Sequence, residues 1–369
     1  MPNARQWMLI ITGGLLLWYM LSSLAARREP EPSPGHQAFR QRLVAVGDLH
    51  GDIRNTRAVL RMAKLIDEHD KWIGGSDILV QTGDNIDRGT YALDIYRLFA
   101  SLRDQASEAG GQLHTVLGNH EFMNAIGDWR YVSKADIAHW GGQKQRLHDM
   151  SLDGWLGQEW LANYTTTARV YLAPFKGAPS LSFTHGSLRP SYPDLLPYPD
   201  RINELGAGLL SRALTPPMAP PHPPNPYRGL PEGTTAAEAG VYDGGGPLWW
   251  RGLADELDEK TVCEWAKELK EKLGVRRIIG GHTPDFERIV DRCGGDVIII
   301  DTGISYAYGG VLSALEIIYS LRPVDGAGEL STGVHALREG ERYIEREEVY
   351  AVYQRGKKKI TVIEQEMII

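Results

Sequence analysis

The hydrophobic pattern of residues 43–117 repeats a short apolar run that ends in a polar, glycine-containing loop. The three runs, Leu43–Val46, Asp77–Val80 and Leu113–Leu117, have the length and composition of buried strands. Between them, the apolar positions predict two helices, one around residues 59–66 and one over residues 90–108. Strands that alternate with helices predict a parallel sheet, whose functional loops lie at the carboxyl ends of its strands.

The second half of the chain predicts further strands. Ser180–Thr184, Val275–Ile279 and Val297–Ile300 are short apolar runs, and each is followed by a polar loop. Alternating strands such as Val311–Tyr319 are predicted to complete a second sheet with them. Glu259–Leu273 has the apolar spacing of a helix.

Two stretches differ from this pattern. Residues 128–165 are rich in tryptophan and predict a helical insert beside the functional loops. Residues 190–231 carry many prolines and predict an extended surface loop. The predicted fold class is therefore α/β, with one catalytic domain at residues 42–369 built as a two-sheet β-sandwich flanked by helices.

The N-terminus is predicted to lie outside this domain. Trp7–Ala26 is an uncharged run of about 20 residues, long enough to cross a bilayer, with arginines on both sides. Residues 1–28 are predicted to be a transmembrane or signal-anchor helix, and residues 29–41 a linker. Ser23-Leu24-Ala25 would also fit a signal-peptidase site, but the apolar run is longer than is usual for a cleaved signal. We expect a protein that is membrane-anchored or in the secretory pathway, on an undetermined side of the membrane.

Composition narrows the class of protein. The chain has 369 residues, 42% of them hydrophobic, which indicates a globular protein with a large core. Its net charge of −7 argues against nucleic-acid binding. Cys263 and Cys293 are its only cysteines, too few for a cysteine-based zinc site; they could form one disulfide or remain two thiols. The oligomeric state is left open.

Five polar loops carry Asp, Asn or His directly after a predicted strand. Asp48 and His50 are two residues apart and can meet the same ion, while Asp84 has two oxygens and could bridge two ions. Any single histidine of this kind is more often an ordinary surface or core residue, so the metal interpretation rests on the set. Nitrogen and oxygen ligands without thiolate suit two divalent ions of Mn, Fe or Zn. The candidate metal ligands are Asp48, His50, Asp84, Asn119, His185 and His282.

The charge of such a cluster favours a phosphate substrate. Two divalent ions, two aspartates and a bridging hydroxide leave a net positive charge, and such an ion pair can activate the hydroxide for in-line attack on phosphorus. His120 is not needed as a ligand, so it is the candidate general acid, with Asp87 to orient it. Arg88 and Arg251 have the planar guanidinium that matches phosphate oxygens. The alternatives are a solvated Asp87–Arg88 ion pair and a surface role for Arg251.

These residues carry a resemblance to a known family. The motifs are similar to those of the calcineurin-like metallophosphoesterases, and the Asp-Arg-Gly and Asn-His-Glu endings resemble the phosphoprotein-phosphatase branch. Residues 119–124 and 246–251 look most like the Shewanella-like protein phosphatases. The motifs are Gly47-Asp48-Leu49-His50-Gly51, Gly83-Asp84-Asn85-Ile86-Asp87-Arg88-Gly89, Gly118-Asn119-His120-Glu121, His185-Gly186 and Gly281-His282-Thr283.

The resemblance covers about residues 43–320 and implies a role for each site residue. One metal would be held by Asp48, His50 and Asp84. The second would be held by Asp84, Asn119, His185 and His282. His120 with Asp87 would form the acid pair, and Arg88 with Arg251 would hold phosphate.

The chain also departs from the family pattern. Gly186-Ser187 stands where the eukaryotic Ser/Thr phosphatases have Gly-Gly, and no counterpart of their inhibitor-sensitive loop is evident. The sequence therefore predicts a dimetal phosphatase of phosphomonoesters, acting on phosphoproteins or small phosphoesters, without choosing between phosphotyrosine and phosphoserine/threonine. The alternatives are a dinucleoside polyphosphate or nucleotide hydrolase and a catalytically dead, membrane-tethered binding module.

Overall fold

The fold is seen in a computed structural model that describes residues 39–219, 229–324 and 337–369. The strands are β1 (Phe39–Val46), β2 (Ile78–Gln81), β3 (Gln112–Val116), β4 (Tyr164–Thr165), β5 (Thr167–Tyr171), β6 (Ser180–Thr184), β7 (Arg277–Gly280), β8 (Val290–Arg292), β9 (Val297–Ile299), β10 (Ser313–Pro323), β11 (Arg342–Tyr353) and β12 (Gly356–Ile368). The helices are α1 (Ile53–Met62), α2 (Ala92–Glu108), α3 (Asn119–Ala125), α4 (Lys134–His139), α5 (Gln143–Met150), α6 (Trp155–Asn163), α7 (Asp200–Leu214), α8 (Ala236–Tyr242), α9 (Gly252–Asp255) and α10 (Glu259–Leu273).

The strands form two mixed sheets. The first has the order β12-β11-β10-β1-β2-β3-β4, in which β1 to β4 are parallel and β10 to β12 antiparallel. The second has the order β5-β6-β7-β9-β8, with a parallel centre of β6, β7 and β9. The predicted α/β class with two sheets and flanking helices is confirmed.

Strand β1 shows how the layers are built. Leu43 and Ala45 face the second sheet and join the apolar core between the sheets, while Val44 and Val46 face the helices α1 and α2. All four side chains are fully buried. A strand covered on both faces reads as a continuous apolar run, which is why the parallel strands were visible in the sequence.

Helix ends follow local capping chemistry. Asp52 accepts a hydrogen bond from the Asn55 backbone N–H at the start of α1. Asp258 caps α10, which ends at Gly274 with a left-handed φ of 63°. The bounds predicted for α10 are confirmed, and these caps explain why.

The placement of the last predicted strand was wrong. The predicted strand Val311–Tyr319 corresponds to β10, which pairs antiparallel with β1 and so belongs to the first sheet. Leu43 lies opposite Ile317 in this pairing. The side-chain pattern of a strand shows which faces are buried, but it does not identify the neighbouring strand.

The proline-rich stretch is not wholly extended. Helix α7 lies within residues 190–231 and buries Leu205, Leu209 and Leu210 against the helices of residues 128–165. Pro216 and Pro217 follow the end of this helix, so the prolines mark its boundary. Residues 220–228 lie outside the described residues.

Three remaining predictions concern the linker, the N-terminal membrane segment and the two cysteines. Strand β1 begins at Phe39, so the linker predicted to reach residue 41 is too long. The predicted membrane segment Trp7–Ala26 lies outside the described residues, and among those that are described no helix has the length and apolarity to span a bilayer. Cys263 and Cys293 are joined in a disulfide that links α10 to the turn after β8.

Candidate metal centre

Five loops meet at one edge of the sandwich. They follow β1, β2 and β3 of the first sheet and β6 and β7 of the second, so the carboxyl ends of both parallel centres face the same place. The structure brings together all six candidate ligands, each at most 5% exposed. Each candidate ligand follows the end of a strand: Asp48 and His50 follow β1, Asp84 follows β2, Asn119 follows β3, His185 follows β6 and His282 follows β7.

Asp84 lies at the middle of this group. Its Oδ2 is 3.3 Å from His185 Nε2 and 3.7 Å from His50 Nε2. Its Oδ1 accepts a hydrogen bond of 2.9 Å from the His120 backbone N–H. One carboxylate oxygen therefore faces imidazoles from both sheets, which is the position that a bridging ligand needs.

Two subgroups form on either side of Asp84. Asp48 Oδ2 is 4.0 Å from His50 Nε2 on one side. On the other side, His185 Nε2 is 2.8 Å from Asn119 Oδ1 and 3.1 Å from His282 Nδ1. Ligand atoms about 2.0–2.2 Å from a common ion lie roughly 3–3.5 Å from one another, so this spacing fits a metal ion.

The three histidines are oriented by backbone carbonyls. His50 Nδ1 contacts Ile86 O at 3.1 Å, and His185 Nδ1 contacts Thr82 O at 2.9 Å. His282 Nε2 contacts the carbonyl of Trp249 at 3.2 Å. In each ring the remaining nitrogen faces the centre, which is the usual outer-shell arrangement of a histidine ligand.

His120 differs from these histidines because its partner is a carboxylate. Its Nδ1 lies 2.6 Å from Asp87 Oδ2, and its Nε2 lies 3.8 Å from Asp84 Oδ2. The second oxygen of Asp87 accepts a 3.0 Å hydrogen bond from Asn124 Nδ2. Proximity alone would also admit His120 as a ligand together with His50 and Asp84. Its buried Asp87 partner instead favours a proton-transfer role.

Unusual backbone conformations concentrate at this site. Five of the eight non-glycine residues with positive φ among the described residues are predicted site residues: His50, Asp84, Asp87, Arg88 and His282. Such conformations cost free energy and persist where the surrounding structure enforces them. Gly118 permits a close approach, because a Cβ at this position would lie 2.1 Å from Asp84 Oδ1.

Burial and neighbouring charges shift the pKa values of the cluster. Burial lowers the pKa of His50 to about 4 and that of His282 to about 2, which keeps both imidazoles in the neutral form that binds metal. Burial alone would raise the pKa of Asp84, but the neighbouring imidazoles of His185 and His120 hold it well below its usual range. Burial and the nearby carboxylates raise the pKa of Asp48. A cation would relieve this crowding.

Two buried carboxylates were not assigned roles from the sequence. Asp301 follows β9, and burial raises its pKa to about 6. Glu121 is fully buried and joins two of the loops, because it accepts hydrogen bonds from the backbone N–H groups of Asp84 and Gly118. The signals were present: Asp301 ends an apolar run, and Glu121 stands beside His120.

The two candidate phosphate arginines lie beside the cluster. The guanidinium of Arg88 stacks 3.8 Å from the ring centroid of Tyr131 and lies 5.6 Å from that of Tyr308. Arg251 donates hydrogen bonds to the His282 carbonyl and, at 3.1 Å, to Thr283 Oγ1. Both side chains are partly exposed, so they can meet a ligand from solvent.

A cavity of about 250 Å³ opens next to the centre. Tyr131 lines it and lies 5.1 Å from the His120 ring, measured between centroids. Trp249 also lines it and holds His282 through its carbonyl. The other lining residues are Met123, Asp128, Arg130, Tyr242 and Gly244. The cavity leaves room for a ligand beside the cluster.

Comparison with known proteins gives consistent matches. Residues 41–286 match the family model of the calcineurin-like phosphoesterases. An uncharacterized protein of Schizosaccharomyces pombe is 36% identical over 277 residues, covering 74% of this chain and 76% of the relative. Shewanella-like protein phosphatase 2 of Arabidopsis thaliana is 30% identical, covering 72% of each chain.

A solved structure shows the same fold. The cold-active protein-tyrosine phosphatase of a psychrophilic Shewanella species superposes with a TM-score of 0.62. The match covers 87% of this chain and 80% of that one, at 22% sequence identity.

Proposed function

Because this chain belongs to the calcineurin-like phosphoesterase family and is a hydrolase of phosphoesters, we propose that it is a dimetal phosphatase that acts on phosphoproteins. The family resemblance that the motifs predicted is confirmed. The proposal rests most directly on one observation. The buried His120–Asp87 pair stands beside a cluster of Asp84 and three histidines, so an acid and a metal centre adjoin.

The proposed metal ligands divide into two sets that share Asp84. Asp48, His50 and Asp84 would hold one ion; Asp84, Asn119, His185 and His282 would hold the other. Mixed nitrogen and oxygen donors suit Mn, Fe or Zn. Bound ions would polarise the phosphoryl oxygens and lower the pKa of a water molecule.

The residues of the chain supply the remaining chemistry. His120 would donate a proton from Nε2 to the leaving oxygen, because its Nδ1 is held by Asp87. The neighbouring carboxylates raise the pKa of His120 against the opposing effect of its burial, which favours the protonated acid form. Arg88 and Arg251 would bind the phosphate oxygens and so orient the phosphorus.

The test is phosphate release by the purified chain loaded with Mn. The substrates are matched phosphotyrosine and phosphothreonine peptides. Cleavage of diadenosine tetraphosphate yields nucleotides instead of phosphate, so it is measured in parallel by the nucleotides formed. His120→Asn should lose activity by at least about 100-fold, the usual contribution of general acid–base catalysis, and Asp84→Asn should lose at least as much because it removes the proposed shared metal ligand. His114→Asn is the matched control, because His114 binds Gln112 in β3, away from the cluster.

A leaving-group comparison separates the acid from the metal centre. His120→Asn should lose most activity on phosphothreonine, whose alkoxide needs a proton, and least on aryl phosphates with weakly basic leaving groups. Asp84→Asn should lose activity on both. If the wild-type chain hydrolyses neither peptide but cleaves diadenosine tetraphosphate, the nucleotide-hydrolase alternative replaces this proposal.

Attachment to a membrane remains a separate proposal. It rests on the sequence of Trp7–Ala26 alone. Extraction of the full chain from membranes by detergent but not by alkaline carbonate would support it. Recovery of the chain in the aqueous fraction would contradict it.

A further inference from the structure

The first sheet ends in a long exposed strand. Strand β12 has 13 residues, pairs on one side with β11, and has no strand on its other side among the described residues. It ends in Ile368, whose side chain is 67% exposed. A long free edge presents unpaired backbone groups to solvent, and proteins either protect such edges or use them for pairing.

A bulge divides β12 into two halves. Val349 of β11 lies opposite Thr361, whereas the next residue, Tyr350, lies opposite Lys359. Ile360 therefore has no partner of its own and shares one position with Thr361. At the bulge, the alternation of side chains between the two faces of the sheet shifts by one residue. The charged residues Lys357, Lys359, Glu364 and Glu366 therefore all lie on the face that points away from the core between the sheets.

That outer face carries opposite charges in the two halves. The ammonium groups of Lys357 and Lys359 lie 5.9 and 6.0 Å from the Tyr350 ring centroid, and Lys357 also pairs with the buried Glu316 of its own subunit. On the other half, Glu364 pairs with Arg346 and Glu366 pairs with Arg342. Lys357, Glu364 and Glu366 have side chains about half exposed.

The pattern is complementary to itself. If a second copy of β12 runs antiparallel with Val362 opposite Val362, the bulge brings Lys359 opposite Glu364 and Lys357 opposite Glu366. Each pair occurs twice because the arrangement is two-fold symmetric. Directly opposite charges of unlike sign stabilise an antiparallel pair, and like charges destabilise it. Without the bulge, the same register would place these residues on opposite faces.

We propose that two copies of this chain associate through their β12 edges, with the two-fold axis at Val362. The dimer extends the first sheet from one subunit into the next. A second copy of the chain is the partner that fits this edge, because the two charged halves of β12 match each other. The competing explanation is that the lysines and the bulge protect the edge against pairing.

A cysteine at the axis tests the geometry in the full chain. In Val362→Cys the two new thiols face each other, and the native cysteines do not compete because they are bonded together. Ile368→Cys is the control, because it lies on the same face but six positions from the axis, roughly 40 Å from its copy. Oxidation should cross-link Val362→Cys into dimers and leave Ile368→Cys monomeric. Equal cross-linking of the two variants would overturn the proposal.

Charge reversal tests the register. Lys357→Glu/Lys359→Glu should weaken the dimer roughly 30- to 1,000-fold, because four exposed pairs change from attraction to repulsion. Glu364→Lys/Glu366→Lys should do the same. An equimolar mixture of the two should recover dimers by light scattering, since every pair is again attractive. The register would be refuted if the mixture stays monomeric or if either double variant alone stays dimeric. Thermal melting shows whether each variant is folded.

Discussion

Glu121 offers a direct test of how the fold holds two of the functional loops. Its Oε2 accepts hydrogen bonds of 2.9 and 2.7 Å from the backbone N–H groups of Asp84 and Gly118. Its Oε1 accepts bonds of 2.8 and 2.7 Å from the Asn85 N–H and the Tyr96 hydroxyl. All four donors point at a fully buried carboxylate, so the arrangement of the two loops depends on both the charge and the shape of this group.

The substitution Glu121→Gln changes one side of this arrangement. With the amide oxygen at the Oε2 position, the bonds from Asp84 and Gly118 persist. The amide NH2 then faces Tyr96, whose hydroxyl can rotate to accept, and Asn85, whose N–H loses its acceptor. One unsatisfied buried donor costs about 1–3 kcal/mol. Glu121→Ala leaves three buried N–H groups without partners, roughly 3–9 kcal/mol, which is comparable to the whole stability of a typical domain.

Thermal unfolding and phosphate release measure the two consequences. Glu121→Gln should melt lower and should lose activity even where it is fully folded, because the Asp84 and Asn119 loops lose part of their common support. Glu345→Gln is the matched control: it changes another fully buried glutamate, which binds Arg276 away from the site. It should lose stability and keep its activity per folded molecule. Equal activity in the two folded variants, or an unchanged melting temperature in Glu121→Gln, would refute the reasoning.

Three further predictions concern metal, pH and redox state. A chelator should lower the melting temperature, and excess Mn should restore it, because an ion at 100 times its dissociation constant stabilises the native state by about 2.7 kcal/mol; a melting curve indifferent to both would contradict the metal assignment. Burial raises the pKa of Asp301 to about 6, above its unfolded value, so its contribution to stability is present at low pH and is lost as pH rises through about 6. In the metal-free protein, Asp301→Asn should therefore raise the free energy of unfolding more at pH 8 than at pH 5. Equal increases at the two pH values would refute the raised pKa of Asp301. Reduction of the Cys263–Cys293 disulfide, or Cys263→Ser with Cys293→Ser, should cost about 3–4 kcal/mol, because it frees a loop with a sequence separation of 30 residues; unchanged urea unfolding would contradict this.

The sequence determined much of the local structure. Strands buried on both faces appear as continuous apolar runs, and capping residues mark helix ends, so β1 to β3 and α10 could be predicted from the chain alone. The candidate ligands were predictable for a related reason. A polar residue directly after a buried strand lies at the sheet edge, and five such loops at the ends of parallel strands have a common destination.

Only the tertiary structure decided the partners. The pattern of β10 is compatible with either sheet, and its pairing with β1 depends on contacts distant in sequence. The prolines of residues 190–231 obscured α7, whose apolar face is specified by the helices that it packs against. The cysteine pairing also required the fold, because it depends on how α10 meets the turn after β8.

The same division holds within the site. The sequence predicted the ligand types and the pairing of His120 with Asp87. The structure adds the contact that separates this histidine from the others, because Asp87 binds its Nδ1 whereas backbone carbonyls bind Nδ1 of His50 and His185. It also gave Glu121 its role, since the hydrogen bonds that this residue accepts come from loops of two different strands. Residue type and local order are written in the chain, whereas the partner of a buried polar atom is set by long-range packing.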